Sequence, residues 1–151
     1  MTAPEFFFYH LETQPLQAAL PVLLEKTLER GWRACLRFST KERLDAIDSA
    51  LWTYRDDSFL PHGTARDGPA ARQPIYLTLG GETPNGANVV FLAETAEEPE
   101  PERFARVVRL FDGADVEARA KAREEWQTAK ARGCPASYWR QDPSGAWKKS
   151  G

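Results

Sequence analysis

The feature that most limits how this chain can fold is the way hydrophobic patterning switches period in its first fifty residues. Phe6-Phe-Phe-Tyr-His10 is a short aromatic run, which fits a buried strand. Leu16, Ala19, Leu20, Leu23, Leu24, Thr27 and Leu28 then recur at helical spacing and stop near Gly31. They predict an amphipathic helix with one apolar stripe. Pro21 falls inside that stripe and either kinks the helix or sits in the first turn of one that starts later. Trp32 to Phe38 reads as a second strand. Ser39 with Glu42 makes a capping box, opening a helix on which Leu44, Ile47 and Leu51 face one way. A βαβα opening predicts a parallel sheet with helices on its faces.

The middle of the chain is less regular. Asp57 to His62 reads as a short edge strand and Gly63 to Pro74 as a loop. Ile75 to Leu79 and Val89 to Leu92 are strands joined by a turn rich in Gly, Pro and Asn. Glu94 to Glu102 reads as a solvated acidic linker. Phe104, Val107, Val108 and Phe111 fit a helix, and Val107 to Phe111 fits a strand as well. Asp115 caps a last helix from Val116 to Arg132, closed by Gly133 and Pro135. No repeat and no second domain is visible, so one domain over residues 1–151 is expected.

Charge and motif content narrow the function. With 20 Lys and Arg against 22 Asp and Glu, the net charge is -2. A protein that grips duplex DNA by its phosphates carries a basic excess, so direct binding would need local clustering. Cys35 and Cys134 are too few for a disulfide scaffold, and Cys35 reads as a small core residue. Met1-Thr-Ala-Pro-Glu5 has neither a basic segment nor a long apolar one; no signal peptide or membrane span is expected, and a cytoplasmic location is the default.

The chemistry-bearing motifs are missing. Leu11-Glu-Thr-Gln-Pro15 follows the first strand without a glycine to admit phosphate, and no Walker Lys-Ser/Thr pair occurs. Gly80-Gly81 reads as a plain turn. His62 with Asp57 and Ser58 could be imagined as a hydrolase triad, but no Gly-x-Ser-x-Gly elbow is present. His10, His62 and the two cysteines lack metal-ligand spacing. No catalytic residue, metal or cofactor is expected.

Two surfaces look like docking sites. On the last helix Arg119, Arg123, Trp126 and Lys130 are spaced four, three and four apart and share a face. Ala118, Ala122 and Ala129 mark a second face suited to close packing. By periodicity alone, a core Trp126 with solvent-facing bases is the first reading. The alternative is a pocket for an acidic, apolar peptide, because Arg binds a carboxylate bidentately and Trp supplies flat apolar area. A peptide ending in a hydrophobic residue presents both groups. The second surface is Leu51-Trp-Thr-Tyr54 with Phe59-Leu-Pro61, an aromatic group where a helix gives way to a loop; it is either a core rim or an interface.

Leu44-Asp-Ala-Ile-Asp-Ser-Ala-Leu-Trp52, Asp57-Ser-Phe-Leu-Pro-His62, Gly68-Pro69, Gln73-Pro74, Gly31-Trp-Arg33 and Ala122 to Gly133 together closely resemble the chi subunit of bacterial DNA polymerase III. The resemblance runs through nearly the whole chain and is most specific at Leu51-Trp52 with Ser58-Phe-Leu-Pro-His62. It implies a three-layer α/β/α fold with a mostly parallel five-stranded sheet, of Rossmann-like topology without a nucleotide-binding loop. It implies a non-catalytic accessory subunit of the polymerase holoenzyme. Such a subunit links the clamp-loader complex to single-stranded DNA-binding protein (SSB), whose acidic C-terminal tail ends in a Pro-Phe carboxylate. Carried over by position, Arg123, Trp126 and Phe111 would form the tail site, with Arg123 on the carboxylate and Trp126 where the family also has Tyr. Trp52 and Phe59 match the surface used for the psi subunit, or for a helicase-like partner in some bacteria. Contact with DNA would be indirect and no membrane is implied. Two other classes stay open: a degenerate nucleotide-binding enzyme, and a direct single-stranded DNA binder using stacked Trp side chains.

Overall fold

A computed structural model of the chain describes residues 3–53, 61–64, 73–80, 83, 85–98, 100–144 and 146–150. Its elements run β1 (Glu5–Leu11), α1 (Leu16–Glu29), β2 (Ala34–Arg37), α2 (Lys41–Trp52), β3 (His62–Gly63), β4 (Ile75–Thr78), β5 (Val89–Ala93), a 3-10 turn (Pro101–Arg103), β6 (Arg106–Asp112), α3 (Val116–Ala131), β7 (Ala136–Gln141) and β8 (Trp147–Lys149). The strands form one sheet in the order β3-β4-β2-β5-β6-β1-β7-β8. Every pairing is parallel except β7 with β8.

Among the described residues the sheet holds eight strands where the resemblance implies five. The surplus comes from the edges. One is the two-residue β3, which shares only His62 with the expected Asp57–His62 strand, residues 54–60 lying outside the described residues. The other is the β7–β8 hairpin that follows the last helix.

Both faces of the sheet are covered, which is why its central strands are buried and mostly apolar rather than alternating, with Arg37 and Arg109 the charged exceptions enclosed among them. Tyr9, Leu11, Leu36, Leu77, Phe91, Val108 and Leu110 turn to one side and pack with the stripes of α1 and α2. Phe8 and Phe111 turn to the other and meet Ala118 and Ala122 of α3. Beside them Cys35, Val90, Leu92 and Val107 pack with Phe104. The result is three layers, α/β/α.

Local chemistry explains most of the boundaries. Helix α1 runs through Pro21, whose ring is itself buried in the stripe. The N-cap of α2 is Thr40, not Ser39: the Thr40 side chain accepts from the Arg43 amide, while the Ser39 hydroxyl is paired with that of Thr95. The helix begins at Lys41, so Thr40 directly before it holds the N-cap place and Arg43 is the third helical residue, whose amide can donate to a capping oxygen. The Asp115 side chain caps α3 by accepting from the Ala118 amide. The helix closes at Gly133, whose φ of +73° is a left-handed value that favours glycine.

Three other expectations change. Of the two readings of Phe104 to Phe111 the strand over Val107 to Phe111 holds and the helix does not: β6 starts at Arg106, after Phe104, and is enclosed between β5 and β1. Strands β4 and β5 do not form a hairpin; both lie parallel to β2 and on opposite sides of it. The acidic stretch after β5 is not simply solvated. The Glu98 carboxylate is 1% exposed and pairs at 2.6 Å with Arg37, itself a buried residue of β2. Glu94 receives a 2.6 Å hydrogen bond from Arg43. Among the described residues no helix is long and apolar enough to cross a membrane.

Candidate functional site

Small residues decide where α3 sits. Ala118, Ala122 and Ala129 are 0–1% exposed, so the helix axis can come close to β1 and β6. That placement turns Arg119, Arg123 and Trp126 toward the edge of the sheet where β7 was added. Between helix and strand lies a cleft of about 670 Å³ lined by His10, Arg119, Ala122, Arg123, Trp126, Tyr138, Arg140 and Ser150.

The bottom of the cleft is aromatic. Trp126 is half-buried and meets Phe8 edge-on at 5.6 Å and Tyr138 edge-on at 6.0 Å between ring centroids. The Tyr138 hydroxyl and His10 Nδ1 are 2.7 Å apart. This pair is possible because residue 113 is glycine: a Cβ there would come within 1.8 Å of His10 Nε2. Desolvation, ahead of the nearby Arg140 charge, holds the His10 pKa below its ordinary value. The same two causes oppose one another at Tyr138, where burial prevails and the pKa is raised.

The rim is cationic. Three arginines, Arg119, Arg123 and Arg140, line the cleft, and among the described residues no Asp or Glu does. Among the described residues Arg123 has no ion-pair partner. Arg119 reaches only the Gly113 carbonyl, at 3.4 Å, and Arg140 donates to Glu12, which lies outside the lining. The Lys130 ammonium stands 4.8 Å from the Trp126 ring centroid. Flat apolar area beside guanidinium groups that lack a full complement of acceptors suits a carboxylate attached to an apolar side chain.

The last helix therefore brings Arg123 and Trp126 together as its spacing predicts, with Trp126 half-buried at the cleft and not enclosed in the core. Phe111 is 1% exposed and lies beneath the cleft, its ring 5.0 Å from that of His10 and 6.2 Å from that of Tyr138. It supports the lining residues instead of joining them. The helix-based reading missed His10, Tyr138 and Arg140. Their signal is period two: Tyr138 and Arg140 alternate with Trp139, and His10 with Tyr9.

On the second surface Trp52 is 53% exposed, with its ring centroid 4.5 Å from that of His62. His62 Nε2 is 3.2 Å from an Asp48 carboxylate oxygen. Phe59, Tyr54 and the Asp57 and Ser58 of the imagined triad lie outside the described residues.

The strand ends also answer the nucleotide question. In doubly wound sheets the turn after the first strand offers its amides to phosphate. Here the Gln141 side-chain oxygen accepts from the amides of Glu12, Thr13 and Gln14 at 3.0, 3.2 and 3.2 Å. Gln141 is 4% exposed, and its amide nitrogen donates to Gln14. The place a phosphate would take is filled by the protein's own side chain. Among the described residues no group of three or more His, Cys, Asp or Glu could hold a metal ion.

The family described as DNA polymerase III chi subunit, HolC, matches residues 3–137. The chain belongs to the DNA polymerase III chi subunit family. It is 25% identical over 107 residues to the probable DNA polymerase III subunit chi of Rickettsia prowazekii (strain Madrid E), covering 71% of this chain and 65% of that one. It is 28% identical over 132 residues to the DNA polymerase III subunit chi of Pseudomonas aeruginosa (strain PAO1), covering 85% and 90%. The chain thus spans just under two thirds of the Rickettsia protein. The chi family match includes Arg119, Arg123 and Trp126 and ends at residue 137. Tyr138, Arg140 and Ser150, which build the opposite wall of the cleft, come after it.

Proposed function

We propose that this chi-family protein is a non-catalytic accessory subunit in DNA replication that captures the acidic C-terminal tail of SSB in the cleft between α3 and β7. By doing so it would link that protein to the clamp-loader side of the polymerase. The observation that carries the reading is the cleft itself, in which three arginines border the Trp126 and Tyr138 rings with no Asp or Glu in the lining among the described residues. Arg123 takes the terminal carboxylate and Trp126 the last apolar side chain. Exposed Trp52, with Phe59 after it in sequence, would then serve the second partner, a psi subunit or a helicase-like protein. Contact with DNA is indirect on this reading.

Titration of the full chain with a fluorescent SSB tail peptide tests it. Binding is expected in the micromolar range and should weaken with salt, since an acidic tail meets a cationic rim. Arg123→Ala should weaken it on the order of tenfold to a hundredfold. Unchanged binding in that variant would remove the site assignment. Tight binding to a bare oligonucleotide would favour direct DNA contact.

A further inference from the structure

The cleft has two walls, one from a helix and one from a strand. The helical wall carries Arg119, Arg123 and Trp126 inside the family match; the strand wall carries Tyr138 and Arg140 beyond it. The second wall is built firmly. Strand β7 pairs with β1 from Phe6↔Ala136 to His10↔Arg140. Strand β8 closes β7 from outside, and Ser150 donates from its amide to the Tyr138 carbonyl at 2.6 Å. The Tyr138 hydroxyl and His10 hold each other across the first two strands of that wall.

Among the described residues Arg140 is the one cleft arginine with a resident carboxylate. Its side chain is 51% exposed, and Glu12, 30% exposed, lies against it from the end of β1. An exposed pair of this kind contributes little to stability. Glu12 is also the nearest acidic group on the His10 side of the cleft, with Asp112 the other acidic neighbour.

Resting on the tail-binding reading above, we infer that Arg140 is a second carboxylate-binding residue of the cleft, one that receives an acidic side chain of the peptide upstream of its C-terminus, and that Glu12 occupies Arg140 until the peptide arrives. The ligand therefore carries at least two carboxylates, one terminal and held by Arg123, one on a side chain and held by Arg140. The peptide crosses from helix to strand over the Trp126 and Tyr138 rings. Loss of the exposed Glu12 pair offsets only part of the pair gained with the ligand, so Arg140 adds little affinity and serves chiefly to select acidic peptides over neutral ones that end in the same apolar residue.

The test is calorimetric titration of the full chain at low salt with two peptides. One is an acidic SSB tail peptide; the other has its Asp and Glu replaced by Asn and Gln but keeps the free C-terminal carboxylate. Arg140→Ala should weaken the acidic peptide about threefold to fivefold and leave the neutral one unchanged, the size expected of an exposed ion pair. Glu12→Gln should strengthen the acidic peptide about twofold, because the competing carboxylate is gone. Arg123→Ala should weaken both peptides. Equal effects of Arg140→Ala on the two peptides, or none on either, would overturn the role of Arg140 while leaving the helical half of the site intact. No gain in Glu12→Gln would overturn the placeholder role of Glu12. If Arg123→Ala binds both peptides normally, the cleft reading itself fails and this inference with it. Thermal melts of the three variants should coincide with the unmodified protein, since all three side chains are exposed or partly exposed.

Discussion

Arg109 Nε and Nη2 donate to the two carboxylate oxygens of Glu125 at 2.7 and 2.9 Å, a parallel fork that ties the centre of the sheet to α3. Arg109 is 1% exposed, and its remaining nitrogen Nη1 donates to the Glu94 carbonyl at 2.7 Å. The pair sits directly beside the residues that line the cleft, because Glu125 immediately precedes Trp126 on the same helix. It fixes the position of α3 where a purely apolar contact would allow the alanine face to slide.

Glu125→Ala should therefore be costly. It strands a guanidinium inside the fold, a loss of about 3 kcal/mol, with the partial exposure of Glu125 keeping it at the lower end for a broken buried pair. A double variant, Arg109→Met with Glu125→Leu, should recover most of that loss, since replacing both partners leaves no orphaned charge. Urea denaturation measures both. Equal stability of Glu125→Ala and the unmodified protein would mean that water reaches Arg109 and the fork holds nothing.

Trp126 has a structural part and a binding part. Trp126→Phe keeps a ring against Phe8 and should fold with little loss. Trp126→Ala removes a half-buried ring and should cost about 2 kcal/mol, less than the full price of a buried aromatic. Peptide affinity should fall in the order Trp, Phe, Ala, read by anisotropy at a temperature well below each melting point. If Trp126→Ala loses stability but no affinity, the ring is support and the ligand lies elsewhere.

Gln141 gives a prediction about the turn after β1. Its carbonyl oxygen satisfies three successive amides, so Gln141→Ala leaves them to water or to nothing. A loss of about 2 kcal/mol is expected, some of the penalty being relieved by solvent. Hydrogen exchange should quicken at Glu12, Thr13 and Gln14 before it does elsewhere in β1. Unaltered exchange at those three amides would show that the turn holds itself without the Gln141 oxygen.

Much of this architecture can be read from the chain because helix stripes are periodic and caps are local. Leu44, Ile47 and Leu51 of α2 and the three alanines of α3 are buried as their spacing requires. Asp115 and Gly133 bound α3 through contacts within a few residues. What could not be read depends on partners far away in sequence. The buried Arg37 and Arg109 look like surface residues until Glu98 and Glu125 are brought to them. Strand β7 became legible only once β1 paired with it, since Ala136 to Gln141 is a mixed run with two aromatics. Half the cleft was lost with that strand: a helix wheel cannot show a Tyr138 or an Arg140 contributed from the other wall.

His10 supplies the pH dependence. Burial, followed by the Arg140 charge with Arg119 adding to it, lowers its folded pKa from the ordinary 6.5, against the opposing pull of Glu12 and Asp112. The unfolded chain therefore takes up the proton first as pH falls. The stability that neutral His10 contributes is fully present above the ordinary value and is lost as pH drops through the folded one. His10→Asn should flatten the corresponding part of the stability profile below about pH 6.5, measured by urea midpoints at a series of pH values. Ligand should shift the balance the other way. An acidic peptide in the cleft neutralises the arginines that repel a protonated imidazole, so the His10 titration followed by NMR should move upward when the peptide is added. A titration midpoint that does not move on saturation would place the peptide's carboxylates away from His10, and so away from the Arg140 wall.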